Sequence, residues 1–187
     1  MTTTPTPTRK DAARNRSLLL AAAEDLFRDA GLDVTLKDVA RHAGVGVGTV
    51  YRHFPTKDDL VAALFAQQLE AEIERARKSV EAGDSWEALV DYLKESMRLQ
   101  SSNRGLRALM CPAGSVFDSV RECKAVVNPL IDQLVKSAHA QGTLRPDCTS
   151  RDIALLQVGL VGIMDATPED PNAYRRHLAL FLDGVRV

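Results

Sequence analysis

The stretch from Thr35 to Leu60, TLKDVARHAGVGVGTVYRHFPTKDDL, leaves this chain few folds to choose from. Leu36, Val39, Ala40 and Ala43 recur at helical spacing behind Thr35, and Thr35 with Asp38 three residues on has the pattern of a capping box. Gly44 then stops the helix where a left-handed residue is needed. Val45 returns the chain to the core, and Gly46 or Val47 opens a second helix that turns Val50 and Phe54 inward. Pro55 ends that helix, because proline does not continue the hydrogen-bond ladder. Thr56 and Asp59 repeat the capping-box pattern, so a third helix starts near Lys57. Two short helices joined by a tight glycine turn are the layout of a helix-turn-helix, whose second helix enters a DNA major groove.

The segment from about Asn15 to Leu64 resembles the DNA-binding domain of the tetracycline-repressor (TetR/AcrR) family. The residues that carry the likeness are LLLAAAEDLFRDAGLDVTLKDVARHAGVGVGTVYRHFPTKDDL, with AGV, GTVYRHFPTK and DDL at specific spacings. The resemblance implies an all-helical homodimer and a repressor that responds to a small molecule. From YLKESMRLQSSNRGLRALM onward the chain is similar to one branch of the family's regulatory domains.

The remainder reads as helix throughout, with no β alternation and no repeats, so the class is all-α. The expected organisation is a polar tail over 1–9, a three-helix DNA-binding domain over 10–56, and a helical regulatory and dimerisation domain over 57–187. The first helix runs from about Lys10 to Ala30, burying Leu19, Ala22, Ala23, Leu26 and Phe27. A long helix from Lys57 to about Val80 links head and body. Further helices are expected over Ser85–Gln100, Asn103–Met110 (ended by Pro112 and Gly114), Val116–Ala140 with Pro129 as a kink candidate, Ser150–Ala166 and Asn172–Val185.

The net charge of −1 carries no nucleic-acid signal, but its distribution does. Residues 1–57 hold nine Lys/Arg against six Asp/Glu, and Arg9, Lys10, Arg14 and Arg16 outweigh Asp11 in the first sixteen. A basic arm beside such a motif reads as a phosphate-contacting tail, with a merely solvated N-terminus as the alternative. Cys111, Cys123 and Cys148 are odd in number and form no CxxC pair, which suits a reducing cytosol. No apolar run approaches the ~20 residues that span a bilayer, and no hydrophobic signal region follows the N-terminus, so a cytoplasmic location is expected.

By the resemblance, Thr35 meets a DNA phosphate, and the free N–H groups of a helix N-terminus agree with that; its other role is a plain cap. Lys37 on the same edge adds a phosphate or groove contact. Val47, Gly48 and Thr49 match base-proximal positions: an apolar surface for a thymine methyl, room for close approach, and a hydroxyl. Tyr51 matches a phosphate-binding tyrosine, with a core ring as the alternative. Arg52 reaches guanine or stays in solvent. His53 and Lys57 match phosphate contacts. Gly46 departs from the serine common in relatives, which removes a hydroxyl contact there.

In the body, the resemblance implies a ligand pocket between Lys57 and Gly142. Its candidate lining is Trp86, Leu89, Leu93, Met97, Met110 and Phe117, with Arg98, Asn128 or Gln157 as polar points; core packing is the other reading of each. The Ser150–Ala166 segment is apolar on several faces. Leu155, Val158, Gly159 and Gly162, with Leu178, Phe181 and Leu182 from the last helix, are the expected two-fold interface. No motif with catalytic or metal-ligating mechanics is present, so no enzyme activity, cofactor or metal is expected. The expected partners are operator DNA, a small-molecule effector and a second copy. A cysteine-based redox regulator is the alternative, with Cys123 near Arg121 and Lys124 as its candidate thiol.

Overall fold

Side-chain caps set several of the helix starts in this protein. The computed structural model describes residues 9–110 and 117–187. Helix α1 spans Arg9–Ala30 and passes into a 3-10 turn at Gly31–Asp33; α2 is Leu36–His42, α3 Val47–His53 and α4 Lys57–Glu81. They are followed by α5 (Ser85–Ser102), α6 (Arg104–Met110), α7 (Asp118–Ala140), α8 (Ser150–Ala166) and α9 (Ala173–Val185). Thr35, Thr56 and Thr149 each form a reciprocal capping box, with Asp38, Asp59 and Asp152. Asp84 caps α5 through Trp86 and Glu87 amides. The expected start of α7 at Val116, its Pro112–Gly114 stop signal, Cys111 and the tail over 1–8 lie outside the described residues.

The turn between α2 and α3 is a Schellman motif. Gly44 takes φ +66°, its N–H donates to Arg41 O, and Val45 N–H donates to Ala40 O. Only glycine enters that backbone region without strain, so Gly44 fixes the angle at which α3 leaves α2. Leu19, Phe27, Val39, Val50, Phe54 and Leu60 converge below it as the core of the head.

Helix α4 leaves the head and runs against α5 and α7 in the body. A second joint lies at α6. Gly105 sits so close to α1 that a Cβ there would stand 2.9 Å from both the Cβ and the carbonyl oxygen of Phe27. Arg104 donates to Asp29 O at 3.4 Å, and Arg107 pairs with Asp165 of α8 at 2.9 Å. Head and body therefore touch through α4 and α6 together. α7 runs on through Pro129 without ending. Among the described residues there is no sheet, only an isolated antiparallel bridge between Leu144 and Arg186 that pins the C-terminus to the α7–α8 connection. No described helix is long and apolar enough to cross a membrane.

Candidate nucleic-acid interface

The N-terminal ends of α2 and α4 open onto one cleft of about 470 Å³, bordered by Thr35, Lys37, Tyr51, Pro55, Thr56 and Lys57. Each helix end presents backbone N–H groups and the positive end of its dipole. Tyr51 is 46% exposed, so its ring is a wall of the cleft and not part of the core. The Thr35 hydroxyl is already spent: it donates to Asp38 Oδ2 at 2.5 Å and accepts from the Asp38 N–H at 3.2 Å. Those Thr35 bonds also hold the Asp38 carboxyl below its usual range. An anion in the cleft would therefore meet the α2 backbone rather than the Thr35 hydroxyl. Lys57 is half-buried and its Nζ donates to the Leu32 carbonyl. An ammonium has three donors, so two stay available.

Along α3, Val47, Gly48 and Arg52 are exposed and Thr49 is half-buried, while Val50 beneath them is fully buried. The exposed edge sets the apolar Val47 beside small and polar residues, and no described atom lies within 4 Å of where a Gly48 Cβ would be. His53 is half-buried; its Nε2 is shielded and finds no hydrogen-bond partner among the described residues. Arg16, expected in the basic arm, stacks its guanidinium 5.4 Å from the Phe54 ring, which fastens α1 to the end of α3.

The residues assigned to a ligand pocket fall in two places. Leu89, Leu93 and Met97 have no accessible surface: α4 and α7 pack against α5, so its inward face is core. Met110 and Phe117 are half-buried against the same core. Trp86 and Arg98 instead border a groove between α5 and α9. Asn128 is exposed and Gln157 half-buried. The interface residues divide as well. Leu155 is 57% exposed, Gly159 and Gly162 are exposed, and Val158 and Phe181 are half-buried. Leu178 and Leu182 belong to the protomer's own core, because they sit on the face of α9 turned toward the body. Leu180, one turn round, is the exposed apolar residue of α9.

A buried polar cluster was not legible from motifs. Glu72 of α4, 5% exposed, accepts from the Tyr92 hydroxyl at 2.7 Å and the Ser96 hydroxyl at 3.1 Å, both on α5, and pairs with Arg75. Burial, then the Glu72 charge, pushes the Tyr92 phenol well above its ordinary value. The signal was spacing: Phe65, Leu69, Glu72, Ala76 and Ser79 are one buried stripe, so a carboxylate stood at a core position. Cys123 lies beside this cluster, buried, with its thiol raised to about 11 by desolvation and by Glu72. Cys148 is buried and raised too. Sensor thiols need exposure and a lowered pKa, so neither cysteine supports the redox alternative.

Two family models match the chain. Residues 19–64 match bacterial regulatory proteins of the tetR family, and residues 84–187 match the C-terminal domain of SbtR-like transcriptional regulators. The HTH-type transcriptional regulator UidR of Escherichia coli K12 is 25% identical over 169 residues, covering 83% of this chain and 84% of UidR. The crystal structure of a TetR transcription regulatory protein from Mycobacterium vanbaalenii is 33% identical, covers 96% of this chain and 99% of its own, and superposes with a TM-score of 0.56. NalD, the secondary repressor of the MexAB-OprM multidrug efflux pump in Pseudomonas aeruginosa, is 27% identical over 95% of this chain and 98% of its own, with a TM-score of 0.66.

Proposed function

Because the chain belongs to the TetR family of bacterial transcriptional regulators, we infer that it acts as a homodimeric repressor released from a palindromic operator by a small molecule. The observation that carries the DNA half is the joint position of the α2–α4 cleft and the exposed edge of α3. Backbone phosphate enters the cleft against the α2 and α4 N-termini, Lys37, Tyr51 and the free donors of Lys57. Val47, Gly48, Thr49 and Arg52 then lie against base edges, with His53 at the phosphate flank.

The dimer reading is supported by α8 and α9. Gly159 and Gly162 stand in mid-helix with open space around them, and a helical glycine costs about 1 kcal/mol relative to alanine. No described residue of the protomer requires them, whereas close approach of a partner helix does. Leu155 and Leu180 flank them as exposed apolar side chains. A two-fold pair of α8–α9 units forms a four-helix bundle and sets the two heads about one DNA turn, ~34–36 Å, apart. An effector acts by favouring a state in which α4 is tilted, which requires unequal affinity for the two states.

The test is to mix the purified protein with sheared genomic DNA from its own source and sequence what it retains. A shared palindrome is the expected result. Retention without any common sequence, lost at moderate salt, would refute the operator reading. With the operator in hand, Lys57→Ala is expected to weaken binding for all sequences and flatten the salt slope by about one. An unchanged slope would remove Lys57 from the phosphate set.

A further inference from the structure

A groove of about 690 Å³ lies between α5 and α9, away from both the DNA-facing edge and the α8–α9 face that holds Leu155 and Leu180. Its floor is apolar and well buried: Trp86, Val90, Tyr174, Leu178 and Leu182. Two helix flanks separate it from the proposed dimer contact. Arg175, Ala179, Asp183 and Arg186 recur at spacings of four, four and three on the groove side of α9, whereas His177, Leu180 and Gly184 recur on the other side. Pairing through one flank leaves the other open.

The charges around this floor are sorted by end. α5 and α9 run antiparallel here: Arg186 stacks 5.7 Å over Trp86, and Arg98 is close enough to Tyr174 to interact electrostatically. At the Tyr174 end stand Lys94, Arg98 and Arg175. The only carboxylate among the lining residues there is Glu95, which is engaged by Arg98 through two bonds of 2.7 Å. Arg175 has its guanidinium 6.0 Å from the Tyr174 ring, so its charge is drawn in over the floor. At the Trp86 end the order is reversed: Glu87 and Asp183 outnumber Arg186, and Asp91 stands at mid-groove. From Arg175 to Arg186 the helix rises about 16 Å.

We propose that the α5–α9 groove is a binding site for an amphipathic organic monocarboxylate, its head group held by Arg175 and Lys94 and its apolar tail lying over Leu178, Val90 and Leu182 toward Trp86. Guanidinium is weakly hydrated and meets a carboxylate as a planar fork, which suits a head group seated at an apolar edge. The acidic Trp86 end repels a second anionic group, so a monoacid is preferred over a diacid of equal length. A groove with an apolar floor and few convergent polar groups is the general form of a small-molecule site. The claim concerns binding alone and stands whether or not occupancy releases DNA.

Trp86 is the sole tryptophan of the chain, so its emission reports this floor without interference. The experiment titrates the full-length protein with laurate, with dodecyltrimethylammonium and with dodecanedioate, all below their micellar concentrations, and repeats each by calorimetry. Laurate is expected to give a saturable change in Trp86 emission, with the ammonium and the diacid each needing at least about tenfold more. A Lys94→Gln/Arg175→Gln variant alters only exposed side chains and keeps Trp86. It is expected to weaken laurate by about tenfold or more, the loss that follows from a charge-assisted hydrogen bond, with the helical fold retained even though the Arg175 contact to Tyr174 is lost. The site is overturned if neither method detects saturable laurate binding, if the ammonium binds as tightly as laurate, or if the double variant binds laurate like the wild type.

Discussion

Replacing Glu72 by alanine tests whether the buried cluster ties α4 to the body. The substitution leaves the Tyr92 and Ser96 hydroxyls inside the protein without their acceptor. Ser96 has relief close by: Gln100 Nε2 already donates to its oxygen at 3.5 Å, and a helical serine can turn its own proton to a carbonyl of the preceding turn. It is therefore charged about 1 kcal/mol, at the low end for a stranded buried group. The Tyr92 phenol, 4% exposed, loses its acceptor outright, a cost of about 2 kcal/mol. Arg75, whose side chain is 20% exposed, regains water and adds little. The sum of about 3 kcal/mol sits at the lower edge of what breaking a buried pair costs. For a chain of this length it lowers the melting temperature by about 6–12 °C. Tyr92→Phe alone should cost about 1–2 kcal/mol, and the two changes should be non-additive by a similar amount, because both remove the same bond. The assay is thermal and urea unfolding of the two single variants and the double variant at one protomer concentration. If Tyr92→Phe destabilises the Glu72→Ala background as much as the wild type, the Tyr92–Glu72 bond does not bear on stability and the reasoning fails.

The Gly105 approach predicts that Gly105→Ala forces α6 off α1 and costs about 1–3 kcal/mol, since the Phe27 backbone does not yield. An unchanged unfolding midpoint would show that the contact is loose. Gly159→Ala and Gly162→Ala meet open space in the protomer, so they should leave its fold intact while weakening self-association; light scattering over a dilution series checks this, and Leu155→Glu with Leu180→Glu should give monomers. The raised Cys123 thiol means that folding favours its protonated form. The stability it contributes relative to Cys123→Ala is whole below the ordinary thiol value of 9.0 and is lost as pH rises toward about 11. Equal alkaline melting curves for the two proteins would contradict that sign. At neutral pH the same shift leaves about a hundredfold less thiolate, so Cys123 should resist alkylation until the protein unfolds.

The head was legible in the sequence because its determinants are local. Thr35 with Asp38 and Thr56 with Asp59 sit three residues apart, and each pair closes its capping box within that span. Gly31, Gly44 and Gly142 all stop helices with positive φ, a property of the residue itself rather than of its surroundings. The body was legible only as helices. Spacing alone gave Leu89, Leu93 and Met97 one apolar face, and whether that face meets a ligand or α4 and α7 depends on residues far along the chain. The same limit merged two surfaces of α9. Leu178 and Leu182 fill the protomer's core while Leu180 faces out, yet all three are leucines within five positions and hydropathy does not separate them.

Function sits where the local and the long-range meet. Capping chemistry shapes the α2 and α4 ends that the proposed phosphate contact uses, and Tyr51 lies at their shared cleft while Arg16 over Phe54 fastens α1 to the end of α3. The proposed regulation asks the reverse of the same α4. It must move with the head while Glu72 holds it to α5 and Gly105 seats α6 on Phe27. The proposed movement of α4 therefore has to break or carry along the Glu72 bonds to Tyr92 and Ser96. Packed interiors are bistable rather than continuously deformable, so in the proposed dimer a small displacement in the body would change the spacing between the two heads.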